Sequence, residues 1–250
     1  MKAFVVYFGI LAFSSPIQAA QSGEIQGLVE SVEDLRLPLL LIRPIMPIKE
    51  ASEFKIEWGF YATYRRANDG EFDRTPYASD REAIAAADQF IKDHFDTGSY
   101  SLILSRIDDS ATENSRPVSE AALGRTFVFN SAYRGIRLNG HGAVVYIAGK
   151  TITHASFMLG EIVIVPCTEM LLLEKRCAVD IWREAVRERT KIQNPVPGKV
   201  SLQYVWSVTE NQLRDSTDGD ILSPNWVIEL EDGSGELLVD ARDGRVWRND

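Results

Sequence analysis

The sequence predicts an α+β fold made of two small helix-on-antiparallel-sheet units in tandem. Two stretches carry helical apolar spacing, Ser79–Phe95 and Ile181–Thr190, and each is followed by short strand-like runs. The strand pairs that follow end alike, VVYIAGKTI at Val144–Ile152 and LLVDARDGRV at Leu237–Val246. Asp-Gly turn pairs punctuate the chain at Asp69-Gly70, Asp218-Gly219, Asp232-Gly233 and Asp243-Gly244. One helix laid on one sheet is the simplest cover for a half-apolar sheet.

Residues 1–20 read as a cleavable secretory signal. Lys2 precedes the apolar run Ala3–Phe13, Ser14-Ser15-Pro16 breaks it, and Ala19-Ala20 supplies small residues for cleavage. The run is shorter than the roughly 20 residues that cross a bilayer. No integral membrane span is therefore expected after cleavage, and the expected location is periplasmic or secreted.

Residues 21–50 form an extended N-terminal segment. Leu35–Ile48 is apolar but holds Pro38, Pro44 and Pro47. Proline excludes a helix interior or a central strand, so an edge strand or an extended segment packed on the body is expected. An exposed docking segment is the functional alternative.

The first unit spans 51–160. Phe54–Tyr64 alternates apolar and polar residues and reads as one half-buried strand. Asn68-Asp69-Gly70 is a turn. Ser79 and Glu82 form a capping box, Ile84, Ala87, Ile91 and Phe95 recur at helical spacing, and Gly98 ends the helix. Strands are expected at Tyr100–Ile107, Thr126–Ser131, Ala143–Ala148 and Thr151–Phe157, with a polar loop at Asp108–Pro117. The second unit spans 161–250. It holds a short strand at Ile162–Val165, a helix capped by Asp180, a strand at Val200–Val208 and the closing hairpin within Asn225–Arg248.

Net charge is −9 and 45% of residues are hydrophobic. An acidic surface argues against nucleic acid as a partner and against adsorption to an anionic membrane. The two cysteines, Cys167 and Cys177, are expected to pair in an oxidising compartment. Ten residues of straight helix span about 15 Å, and a disulfide needs Cα atoms within about 7 Å. A bond would therefore require this segment to double back.

Tyr204–Trp206, the Pro224–Leu230 stretch with Trp226, and Val239–Val246 with Asp240 and Gly244 together resemble the PepSY superfamily. The same residues are similar to the YycI type of regulatory protein. Thr126–Ile147, with Tyr133, Gly135 and Ile136, is similar to the propeptide module that precedes PepSY in thermolysin-type proteases. Asp243 stands where the family often has threonine, and the first unit lacks an aspartate matching Asp240. The resemblance implies a cystatin-like α+β fold without catalytic residues. It also implies a protein partner, a protease or an envelope sensor, that the module binds and restrains. Trp226, Asp232, Gly233, Gly235, Asp240 and Gly244 are the expected partner-binding residues. No cofactor is expected.

Other chemistry has weaker signals. Asp96-Thr97-Gly98 matches the aspartic-protease triplet, which would need a symmetric dimer to supply the second carboxylate. It follows a capped helix, so a helix C-terminus is the ordinary reading. His94, His141 and His154 show no ligand spacing. Asp215–Asp220 clusters oxygens that could bind Ca²⁺, but it lacks EF-hand spacing. Lys175, Arg176, Arg183, Arg187, Arg189 and Lys191 could be a partner patch or a solvated helix face. Trp58, Tyr61 and Tyr64 could form a ligand face, although strand aromatics are more often core. The sequence thus favours a non-catalytic interaction module over a dimeric hydrolase centred on Asp96 or a small-molecule or lipid carrier.

Overall fold

The computed structural model describes residues 35–45, 54–57, 61–66, 75–98, 101–109, 124–190, 192–207, 219–233 and 235–248. All of them fall within Glu33–Asp250. The signal segment, Trp58, the turn at 68–70, most of the expected loop at 108–117 and the clustered aspartates before Gly219 lie outside the described residues.

The elements run in chain order as β1 (Arg36–Leu37), β2 (Leu40–Pro44), β3 (Phe54–Glu57), β4 (Tyr61–Arg65), α1 (Asp80–His94), β5 (Ser101–Asp109), β6 (Gly124–Tyr133), β7 (Ile136–Ala148), β8 (Thr151–Met158), β9 (Gly160–Ile164), β10 (Met170–Leu171), α2 (Lys175–Thr190), β11 (Pro197–Trp206), β12 (Asp220–Leu230), β13 (Glu236–Asp240) and β14 (Val246–Arg248). Twelve strands join in one sheet, and β1 and β10 pair separately. This corrects the tandem fold class. Two helices among the described residues back a single large mixed sheet, rather than each backing a small sheet of its own.

The continuity is made by β7. On one edge it pairs with β6. On the other it pairs first with β11, in parallel, through Arg137 and Leu138, and then with β8, antiparallel, from Gly142 onward. Between these two stretches β7 slips. From Asn130 to Ala132 β6 advances two residues while β7 covers five, from Gly142 to Arg137. An odd surplus reverses which alternate residues point inward. Ile136 and Leu138 are buried before the slip, and Ala143, Val145 and Ile147 after it. Gly140 (φ 77°) supplies the left-handed backbone of the bend. Gly142 lets the Phe129 carbonyl approach, because a Cβ there would lie 2.0 Å from that oxygen.

Alternation along β6 puts Phe127, Phe129 and Tyr133 on one side. The two phenylalanines belong to the core under α1, with Ala83, Ala87, Ile91, Phe95, Val145 and Phe157. Tyr133 packs edge-on against Tyr204 of β11, with ring centroids 6.0 Å apart. On that same side Trp226 of β12 donates its Nε1–H to the Leu173 carbonyl just ahead of α2 (2.9 Å). Both helices therefore cover the same face. The Ser79 hydroxyl caps α1 by accepting from Glu82 N–H, as expected. In α2 the buried residues Ala178, Trp182 and Val186 recur every fourth position. This helix begins at Lys175, ahead of its expected start, and Asp180 lies inside it, paired with Arg183.

Two further expectations change. Phe54–Tyr64 is a hairpin rather than one strand, with Phe54 opposite Tyr64 and Ile56 opposite Ala62. An even period survives such a fold-back, so the alternation could not reveal it. The proline-flanked β2 is not an edge strand. It is bonded to β9 on one side and β12 on the other, and Leu39–Ile42 is buried on both faces. Pro44 closes its end. Pro224 is tolerated inside β12 for a related reason. That edge of β12 is held by β2 up to Leu222 and by β13 from Asn225 onward. The missing N–H of Pro224 falls in the gap, and its carbonyl accepts from Ala241 N–H.

The slip in β7 is testable by side-chain addition. Gly142→Ala should destabilise the protein by about 1–3 kcal/mol in urea unfolding. Gly235→Ala, with open space around its Cβ, should stay within about 0.5 kcal/mol.

Candidate functional site

The solvent side of β4, β8 and β7, opposite α1, presents three cross-strand rows. Register places Tyr61 beside Met158 and Gly142, Thr63 beside Ser156 and Val144, and Arg65 beside His154 and Tyr146. These are the residues out of phase with the buried set Ala62, Tyr64, Ala155, Phe157, Ala143 and Val145. Val144 is 39% exposed and Met158 37%. Tyr61 donates its hydroxyl hydrogen to Ser156 Oγ at 3.3 Å. No carboxylate stands on this side of the three strands.

The ring of Tyr146 is fixed from two directions. It stacks on His154 at 4.4 Å between centroids, 17° from parallel. It also leans diagonally over Gly124, where a Cβ would lie 1.8 Å from its hydroxyl oxygen. Burial, and then the positive charge of Arg65, hold the His154 imidazole below its ordinary pKa. The surroundings therefore favour the neutral ring. Beside it a cleft of 510 Å³ is lined by Thr63, Arg65, Arg66, Thr153, His154 and Ser156, among others. Among the described residues no carboxylate pairs with Arg65.

The expected partner-binding residues do not form one surface. Trp226 and Asp240 are each 1% exposed. The Asp240 carboxylate accepts from Arg242 N–H (2.8 Å) and pairs with its guanidinium (3.1 Å), which is itself nearly buried. Gly244, at φ 78°, donates its N–H to the Asp240 carbonyl and lets Ile181 approach, since a Cβ would lie 3.0 Å from its Cδ1. These three hold the C-terminal turn against α2. Asp232 and Gly233 are exposed at the β12–β13 turn, and Gly235 closes it by accepting from Leu230 N–H.

Cys167 and Cys177 are free, exposed thiols, so the expected bridge is absent. Cys167 occupies a left-handed turn position (φ 59°) after β9, and Cys177 lies in the opening turn of α2. The chain between them does leave the helix, but to pair β10 with β1.

Asp96 follows the C-cap of α1, and its carboxylate accepts from Gly98 N–H at 3.0 Å, closing its own turn. His94 hydrogen-bonds the Phe90 carbonyl at 2.7 Å through Nδ1 and packs on the Phe90 ring. His141 sits in the β7 slip near Asp220 and the Met158 backbone. The three histidines are on separate elements, and no metal-competent group exists among the described residues. Asp220, the last of the expected calcium ligands, accepts from Trp206 Nε1–H at 3.3 Å. Three arginines of α2 are engaged locally: Arg183 with Asp180, Arg187 with the Gln193 carbonyl and Arg189 with the Val246 carbonyl. Of the aromatic set, Tyr64 is core and Tyr61 faces outward.

No family model matches the chain, and no curated protein matches it. An uncharacterized protein from Eubacterium rectale is similar in structure, with a TM-score of 0.50 at 11% identity, covering 77% of this chain and 68% of that one. At that identity the likeness is one of fold. The C-terminal domain of Bacillus megaterium YpeB covers 92% of this chain and 97% of that one at 12% identity, with a TM-score of 0.34, too low to carry an argument.

Two measurements check these roles. Asp240→Ala removes the buried carboxylate that pairs with the Arg242 guanidinium and should cost about 3–5 kcal/mol in urea unfolding. Burial pushes the His141 pKa down to about 4 from 6.5, against the opposing pull of Asp220. The folded state therefore favours the neutral ring. Stability should be fully present above pH 6.5 and fall as pH drops towards about 4, and His141→Gln should flatten that slope.

Proposed function

We propose that this protein is a non-catalytic interaction module, periplasmic or secreted, that binds and restrains a partner protein through the outer side of β4, β8 and β7. One observation carries the reading. An acidic chain of net charge −9 presents there Tyr61, Tyr146, Met158, Val144 and Arg65 with no carboxylate among them. Tyrosine, methionine and arginine are the residues enriched where protein interfaces desolvate, and charged acids are depleted there. The surface is preorganised, because the Tyr146 ring is held between His154 and Gly124. Binding would order few side chains. The PepSY-like features of the sequence point to the kind of partner, a protease or an envelope signalling protein.

A photo-crosslinking residue at Val144 should trap a discrete protein from envelope extract. Tyr146→Ala with Met158→Glu should reduce that capture by about 30-fold, the loss of one strong anchor of about 2 kcal/mol. A crosslinker at Asp232, on the β12–β13 turn, should trap none of it. Equal capture by the wild type and the double variant would refute this surface as the binding face.

A further inference from the structure

We propose that the Arg65 end of this face is a carboxylate-binding subsite, and that the partner presents an acidic side chain there and an apolar one at the Tyr61–Met158 end, about 13 Å away. The inference rests on reading this face as the binding surface and adds the chemistry of what it holds. Arg65 lies in the row with His154 and Tyr146, and Tyr61 lies four residues back along the same strand and the same side. Four strand residues span about 13 Å. That is also the distance from residue i to residue i+4 of an extended chain.

The two ends differ in chemistry. At one, an exposed guanidinium opens onto a cleft whose other polar groups include the hydroxyls of Thr63, Thr153 and Ser156. A planar guanidinium matches a carboxylate with two parallel hydrogen bonds. No carboxylate of β4, β8 or β7 competes for it on this side, so its charge is available to a ligand. At the other end Met158 is exposed beside the Tyr61 ring, and a thioether packs well against an incoming aromatic. Between them lie the small side chains of Thr63 and Ser156. His154 lines the cleft, and its ring is backed by the Tyr146 ring stacked on it.

The test uses the full chain and short extended probes. The probe is the peptide acetyl-Glu-Thr-Ser-Thr-Phe-amide together with its sequence-reversed form. Their controls replace Glu by Gln, or Phe by Ser. Binding is followed by NMR through the ring resonances of His154 and Tyr146. At least one orientation should shift both rings saturably, and its Gln control should bind about two- to five-fold more weakly, as for an exposed ion pair. Added salt should shrink that difference. Arg65→Gln should bind the Glu and Gln probes equally, and the Ser control should bind more weakly to both proteins. Equal binding of the Glu and Gln probes to wild type would overturn the carboxylate subsite while leaving the face as a binding surface. A preference for Glu that survives Arg65→Gln would overturn the assignment to Arg65. Absence of binding by every probe would overturn the subsite, and capture through Val144 would then report separately on the face.

Discussion

The slip in β7 is the constraint on which the remaining architecture depends. A strand can keep two neighbours along its whole length, or it can exchange one neighbour for another part-way. β7 exchanges β11 for β8, and the surplus of three residues between the two contacts re-phases its side chains. Without the re-phasing, either Ile136 and Leu138 or Ala143, Val145 and Ile147 would face water. With it, one sheet keeps one apolar side under both helices. The glycines at the bend serve this directly, Gly140 through its left-handed backbone and Gly142 through the close approach of the Phe129 carbonyl.

Much of the local structure was legible from residue pattern. The Ser79–Glu82 cap, the fourfold spacing of buried residues in each helix and most strand positions follow from period and turn chemistry. The long-range decisions were not legible. A sequence with two helices, each trailed by strands, is equally compatible with two sheets or one, because the parallel contact joining β7 to β11 involves two residues on each strand. Period two in Phe54–Tyr64 is the same for a straight strand and for a hairpin that folds back in phase. Prolines near Leu39–Ile42 suggested an edge because proline removes a donor. Here the prolines flank the buried run, and β2 needs no donor from them.

The candidate site was hidden for a related reason. Its residues are scattered over β4, β8 and β7, and no short motif gathers them. They come together because three strands lie in register, and what they share is that each is out of phase with a core position. The residues that did form a motif, Trp226, Asp240 and Gly244, turned out to hold a turn and a helix in place. A recurring sequence pattern marks a demanding backbone geometry as readily as it marks a binding surface. The glycine at 124 shows the converse. Nothing around it announces a role, yet its missing side chain makes room for the Tyr146 ring.

The placement of β2 bears on how the chain reaches this state. β2 stands near the start of the described chain and lies between β9 and β12, the latter close to the C-terminus. β8 runs into β9 with Leu159 alone between them, so β7, β8, β9, β2, β12 and β11 form a closed circuit whose joints are hydrogen-bonded except the one from β8 to β9, which is the chain itself. The circuit cannot close until the chain has been made as far as β12. Closing so long a loop is slow, because the chain entropy is lost before the non-local pairing returns anything. Until then Leu40–Ile42 lacks its β12 neighbour, although its β9 neighbour has been made. Synthesis of β2 and completion of its pairing are thereby separated in time.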